Sequence, residues 1–358
     1  MFSRRRWLEV KVISQIEAIK IRQIGQGQGK NSDVYLCHDP QLNGEIVIKE
    51  IPLSTFTKAD DYFREASIFY ANKHSNVAPV LYACRDSTCV RIAMPYYKNG
   101  TLEDLLDKKP LTVREIINIT EQFLNGLHRI HSNGYVHYDI KPTNILFSDD
   151  NIPLVTDFGQ SRETTAFGTA PLPPLYPSHF VPEAFTGPSA TKQSDIFQVG
   201  LTLYRMCNGN DYFRKQFNFK TQQEFIDAIS NGKFPNRDMY LQHIPLRLRR
   251  IIKKCLELNP QDRYQTCLEL SNELVKVNQL LTWSYMPQVV GEIWVNDGLT
   301  HEEIIEIAQN TKGNWGVLGY KRRKSDGQIR NNIVRSKKGF KNQKDAQQYV
   351  YKLFRRME

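Results

Sequence analysis

The chain has 358 residues, 40% of them hydrophobic and 24% charged, with a formal net charge of +10; that balance fits a folded protein with room for two or three domains. No apolar run approaches the roughly 18 residues of a membrane span, and the six cysteines form neither a CxxC pair nor a Cys/His cluster, so neither a zinc site nor a disulfide framework is suggested. The charge is uneven: from Thr311 to Glu358 fourteen lysines and arginines meet three acids, which leaves the rest of the chain close to neutral.

The N-terminal stretch MFSRRRWLEVKV lacks a long apolar segment or a small-residue cleavage site, and Phe2 excludes N-myristoylation, so a cytoplasmic protein is expected. Residues 1–18 read as an extension. Residues 19–51 alternate apolar and polar around glycine-rich turns, which predicts three antiparallel strands. KADDYFREASIFYANKH puts Tyr62, Phe63, Ala66, Phe69 and Tyr70 at helical spacing, and VLYAC and VRIAMPYY predict two more strands.

From Thr101 the pattern turns helical. TVREIINITEQFLNGLHRIHSNG opens with Thr112 and Glu115 in capping-box spacing, carries an apolar face from Val113 to Ile130, and closes at Gly134. Further helices are predicted over 194–208, 221–231, 246–257 and 264–280, with the proline-rich TAPLPPLYPSHFVPE as an extended loop. After a boundary near Pro287, residues 289–358 read as strand (VVGEIWV), helix (THEEIIEIAQN, with a Thr300/Glu303 box), two strands and a helix (NQKDAQQYVYKLF).

Several residues in this order suit phosphoryl transfer, which needs metal ions on phosphates, a cation near them and an oriented acceptor. Asp157 in LVTDFGQ stands at a strand end, where a carboxylate suits a hard cation such as Mg²⁺, and Asn144 in HYDIKPTN supplies a second oxygen. Asp139 could take or orient the acceptor's proton, and Lys141 could neutralise the transferring group. Lys49 lies within a strand, where its ammonium needs a partner; Glu65 on the predicted helix is the natural one. IGQGQGKNSDVY lets backbone N–H groups approach phosphates.

Together these motifs resemble, over about Ile19 to Trp283, the catalytic domain of the eukaryotic-type (Hanks-type) serine/threonine protein kinase superfamily. The resemblance implies an α+β, bilobal fold, with a small lobe over 19–97 and a large lobe over 98–283; the pattern and charge of residues 289–358 add a small basic α+β domain after it. It implies an ATP-dependent kinase acting on serine or threonine hydroxyls of protein substrates. Lys49 would meet the α/β-phosphates, oriented by Glu65; Asp139 would be catalytic, with Asn144 and Asp157 holding metal. MPYY would be the adenine-binding hinge, with Met94 as gatekeeper and Tyr96 beside it. VPE would end the activation segment, and Glu183 would pair with Arg263. Lys141 resembles the serine/threonine-type loop.

The glycine loop has two registers: Gly25 and Gly27 after Ile24, or Gly27 and Gly29 followed by Ser32 and Val34. Tyr138 stands where the family typically has an arginine that pairs with a phosphorylated residue, so either activity does not require phosphate at Thr164, Thr165 or Thr169, or Tyr138 is simply a half-buried aromatic packing behind the loop; the two readings are compatible. The rival class is a catalytically inactive kinase-fold scaffold; the presence of Asp139 and Asp157 argues against it. Within residues 313–354 a tryptophan strand (GNWGVLGY), a basic hairpin turning at SDGQ, GF and a Lys-Asp-Ala helix resemble the arm-type DNA-binding domain of phage-type integrases, which implies nucleic acid as a partner of residues 311–358, with a solvated basic surface or a dock for an acidic protein as the alternatives.

Overall fold

The computed structural model describes residues 16–25, 32–174, 179–311 and 313–358, leaving out the side chains of Asp60 and Ile333. Gly27 and Gly29 lie outside the described residues. The chain divides into two units, one of Met1–Ala66 with Val80–Tyr96, the other of Ser67–Pro79 with Tyr97–Glu358.

The first unit is an antiparallel sheet of β1 (Ile19–Ile24), β2 (Asp33–Asp39), β3 (Gly44–Pro52), β4 (Tyr82–Arg85) and β5 (Cys89–Pro95), in the order β1-β2-β3-β5-β4. Alternation buries Ile46 and Ile48 with Cys37 and Ala93 in one cluster, and Ile51 and Ile92 with Ala66 in another. The predicted helix over 58–74 is shorter. A 3₁₀ turn (Ala59–Asp61) precedes α1 (Arg64–Ala71), in which Ala66 and Phe69 are buried while Tyr70 is 64% exposed.

The second unit begins with the end of α1 and continues through α2 (Leu102–Lys108), α3 (Val113–Ser132), α4 (Gln193–Asn208), α5 (Asn210–Gln216), α6 (Gln222–Ser230), α7 (Leu246–Cys255) and α8 (Cys267–Leu274). Thr112 and Glu115 form the expected capping box on α3, whose buried stripe runs from Val113 to Ile130. Gly126 on that helix lets residue 76 approach, since a Cβ there would lie 2.2 Å from the Asn76 carbonyl oxygen. The helix expected over 264–280 stops at Leu274, and Leu280 adopts a positive φ of 55°. Five short strand segments, β6 (Tyr135–Val136), β7 (Ile145–Phe147), β8 (Pro153–Val155), β9 (Arg162–Glu163) and β10 (Ala170–Pro171), carry the chain between α3 and the proline-rich loop, and β11 (Ser189–Ala190) pairs back on β10.

The last part of this unit is a sheet of β12 (Trp283–Pro287), β13 (Glu292–Asp297), β14 (His301–Gln309), β15 (Trp315–Arg323) and β16 (Ile329–Asn331), with β17 (Lys337–Phe340) also on β15 and α9 (Gln343–Met357) over one face. Two sequence expectations are corrected here. Residues 300–310 are not a helix, because His301–Gln309 pairs along its length with β13 and β15, and the pleat buries Ile304, Ile305 and Ile307. Thr300 Oγ1 bonds His301 Nδ1, and Glu303 takes Lys321 and Arg335, so the capping-box pair serves other partners. The sheet also starts before the expected boundary: Trp283 pairs with Asn296 and belongs to the Trp294 core, while Val289 and Val290 form an exposed turn before β13. Among the described residues no helix is long and apolar enough to cross a membrane.

Candidate active site

In the first unit β3 is held on both sides, with Lys49 opposite Val34 on β2 and Ile92 on β5. Its Nζ donates to Glu65 Oε1 at 2.8 Å, and both side chains are only 11% exposed. Two charges so withdrawn from water need each other, because removing either partner leaves an uncompensated charge. The neighbouring Glu50 alternates away and accepts from Lys20 and Arg91, each at 2.7 Å. Gly25 has φ 63°, the left-handed region that suits glycine, at the point where β1 ends. Ser32 precedes β2 and is half-buried. Met94, at the end of β5, packs against the Ile51–Ala66–Ile92 cluster, and Tyr96 follows half-buried.

In the second unit the segment 137–144 is fixed mainly through its backbone. Asp195, buried at the start of α4, accepts His137 N at 2.9 Å and Tyr138 N at 2.7 Å. Gln198, one turn on, accepts Ile140 N at 2.9 Å and donates to Tyr138 O at 2.8 Å. These four bonds hold Tyr138 at φ 63°, a conformation a tyrosine rarely adopts. His137 Nε2 meets Thr156 O and its Nδ1 accepts Asp139 N, the pattern of a neutral ring, and burial lowers its pKa.

The loop converges on Asp139. Its Oδ2 accepts Lys141 Nζ and Asn144 Nδ2, both at 2.7 Å, while among the described residues no donor is bonded to Oδ1. Burial raises the pKa of this carboxyl, and Lys141 opposes the rise. A buried carboxylate with one oxygen anchored and one open is built to receive a proton in a fixed direction.

The β7–β8 hairpin explains why Asn144 and Asp157 are thirteen residues apart yet neighbours. Ile145 pairs with Val155, and Thr156 N donates to Asn144 O at 3.0 Å, so both residues leave the same open end of the hairpin. Asp157 has φ 63°, and Phe158 tucks behind it, its ring 4.4 Å from Phe69 and 5.1 Å from His137. Asn144 Nδ2 is committed to Asp139, which leaves its Oδ1, a long 3.5 Å acceptor from Thr143 Oγ1, as the atom able to ligate a metal. Two hard oxygens from an amide and a carboxylate, with phosphate and water to complete the shell, fit Mg²⁺ better than any softer ion. Among the described residues no cluster of three or more His, Cys, Asp or Glu could form an all-protein metal cage.

Reading the sequence missed Gln198 and the partner of Asp195 across the core, His131, whose Nε2 lies 2.7 Å from Asp195 Oδ2. Both act on backbone or buried groups, and the only available signal was polar residues on an otherwise apolar helix face. Tyr138 is fully buried, and its hydroxyl donates to Ala170 O at 3.0 Å. Arg263 makes a bidentate pair with Glu183 at 2.8 and 2.7 Å.

The protein kinase domain family matches residues 19–286. A probable serine/threonine-protein kinase of Clostridium acetobutylicum is 30% identical over 261 residues, covering 70% of this chain and 38% of that protein. Serine/threonine-protein kinase PrkC of Bacillus subtilis is 29% identical over 259 residues (69% of this chain, 39% of PrkC). PknK of Mycobacterium tuberculosis is 28% identical over 260 residues (71% and 23%). The chain thus spans less than two-fifths of the length of these curated relatives.

Proposed function

The chain belongs to the protein kinase family, and from that premise we propose that it transfers the γ-phosphate of ATP to serine or threonine hydroxyls of protein substrates. The observation that carries the reading is Asp139, with Oδ2 anchored by Lys141 and Asn144 and no donor among the described residues on Oδ1, which is left for an acceptor hydroxyl. Oδ1 orients that hydroxyl and takes its proton as the oxygen attacks; Lys141 balances the charge that gathers on the transferring group. Lys49, aimed by Glu65, meets the α/β-phosphates. Asn144 and Asp157 would hold Mg²⁺, which when bound neutralises phosphate charge. Gly25, Ser32 and Val34, with Met94 and Tyr96, are the nucleotide-contacting positions proposed among the described residues, and Gly27 and Gly29 complete the set.

The test is transfer of labelled γ-phosphate from ATP into a protein acceptor, with Mg²⁺, by the full chain and by Asp139→Ala and Asp157→Ala. Each variant is expected to lose about 10²- to 10⁴-fold in rate, and a chelator should abolish transfer by the wild type. Equal transfer by Asp139→Ala and the wild type would overturn the assignment.

For residues 311–358 the excess of lysine and arginine supports recruitment of a nucleic acid or an acidic protein. Six of these cations, Lys321, Arg322, Arg323, Lys324, Arg335 and Arg355, are already paired with Glu303, Glu302, Asp326, Asp297, Glu303 and Glu358. The proposal therefore falls on the remaining ones. Retention of the full chain on DNA, RNA and an acidic protein over a salt series tests it; no retention at low salt on any of the three removes it.

A further inference from the structure

The segment from Arg162 to Ala170 is fastened at three places. Its start pairs with β6, Arg162 opposite Val136 and Glu163 opposite Tyr135. Next, Thr164 closes twice on one acceptor: its N–H donates to Gly134 O at 2.7 Å and its hydroxyl to the same oxygen at 2.9 Å. At the far end Ala170 pairs with Ala190, and its carbonyl takes the hydroxyl of the buried Tyr138. Between the last two lies a tight turn, with Thr165 N bonded to Thr169 O, their hydroxyls 2.9 Å apart, and Phe167 93% exposed at the tip. Every one of these fastenings is between uncharged groups.

The place where Thr164 closes matters for the sign of any modification. Gly134 lies two residues beyond the end of α3, a 20-residue helix. Its last turn is the negative end of the helix dipole, where Asn133 N donates to Arg129 O and both Gly134 N and Lys192 Nζ donate to His131 O. A phosphate ester on Thr164 has no hydroxyl proton to donate to Gly134 O, and it sets about two negative charges against that carbonyl oxygen, so this clamp is broken.

We propose that the segment is held in its ordered form by neutral clamps at Thr164 and Tyr138, and that phosphate on Thr164 releases it and lowers activity. Thr164 is thus a modification site of inhibitory sign, and Tyr138 a positioning residue whose phenol joins the catalytic loop to the segment. The inference rests on the kinase reading for its activity readout and on the clamps alone for its structural one.

The experiment uses the full chain after phosphatase treatment, with phosphate-free Thr164, Thr165 and Thr169 verified by mass spectrometry. Phosphate transfer and the rate of limited proteolysis at Arg162 and Phe167 are followed for wild type, Thr164→Val, Thr164→Glu, Thr165→Glu and Tyr138→Phe. The phosphate-free wild type is expected to be active and resistant. Thr164→Val and Tyr138→Phe, each lacking one neutral hydrogen bond, should lose about two- to tenfold in kcat and be cleaved faster by a similar factor. Thr164→Glu should fall about tenfold below Thr164→Val, while Thr165→Glu, away from the helix end, should not. Equal or higher activity and resistance for Thr164→Glu than for wild type would overturn the proposal; so would an inactive, readily cleaved phosphate-free wild type. If Thr164→Glu does not fold, Thr164→Val and Tyr138→Phe carry the test. If no protein transfers phosphate but cleavage still follows the expected order, the clamps stand and the kinase reading is what fails.

Discussion

All five donors of Arg263 are taken: Glu183 Oε1 and Oε2, and the carbonyls of Glu257, Gln193 and Leu258. The guanidinium is fully buried and also lies 4.8 Å from the Phe197 ring centroid. Breaking such a pair from one side leaves a bare buried charge, so Arg263→Leu or Glu183→Gln is expected to cost about 3–5 kcal/mol in urea unfolding. The double replacement Arg263→Leu with Glu183→Leu should cost less than either single change. A second residue carries a pH signature. Burial disfavours charge on His131, but Cys267 and Asp195 outweigh it and push its pKa up to about 9. A folded-state pKa above the unfolded value of about 6.5 stabilises fully below 6.5. That stability is lost as pH rises through 9. The wild type should therefore lose roughly 3 kcal/mol between these limits, and His131→Gln, less stable throughout, should show a flatter profile there. An equally steep fall in the variant would assign the loss to another group. Lys49 and Glu65 were legible in the sequence because a charge inside a strand demands a partner. The grip of Asp195 and Gln198 on the loop was not, since backbone groups leave no trace in a side-chain pattern.

At the scale of elements, β14 shows where pattern reading fails. EEIIEIAQ fits a helical face as readily as a strand, and what decides is outside the segment: two flanking strands, with the helix α9 closing over Ile305 and Ile307 while Ile304 is buried on the opposite face. The β-branched side chains favour the pleated choice. Ile305→Ala should open a cavity under α9 and cost about 2–5 kcal/mol, read as an early thermal transition monitored by Trp283, Trp294 and Trp315 fluorescence; an unchanged transition would place this residue outside the sheet's core. By contrast α3 was legible from end to end, because its caps and its apolar stripe are both written within the helix. Helices α2 and α5 were not singled out. Each is seven residues long, two turns, too short for periodicity to stand out, and Arg205, Glu103, Arg214 and Asp107 bind them through a shared ion network.

At the scale of the whole molecule, the sheet that begins at Trp283 is joined to the rest of the second unit at both ends. Before it, Arg114 N at the start of α3 donates to Leu281 O at 2.9 Å. At its far end Glu358 Oε1 accepts Leu246 N at 2.9 Å, capping α7, which lacks a side-chain cap of its own, and Arg355 donates to Ile244 O at 3.0 Å. Phe354 adjoins His243, a buried ring whose pKa is lowered to about 3 by burial and by Arg249 and Arg355. Phe354→Ala should cost about 3–5 kcal/mol, and hydrogen exchange should quicken together in 241–250 and 343–357. Quickening in 343–357 alone would mean that the joint does not act as one cooperative piece.

The position of β12 has a practical consequence for anyone shortening this chain. A fragment ended at residue 286 would keep most of Trp283–Pro287 but lose β13, the strand that satisfies its backbone. What remains is a solitary ribbon of unanswered N–H and C=O groups carrying Trp283 and Tyr285, a template for sticking to another copy. Such a fragment should precipitate or self-associate where the intact chain does not, and its failure would say nothing about the chemistry proposed for Asp139.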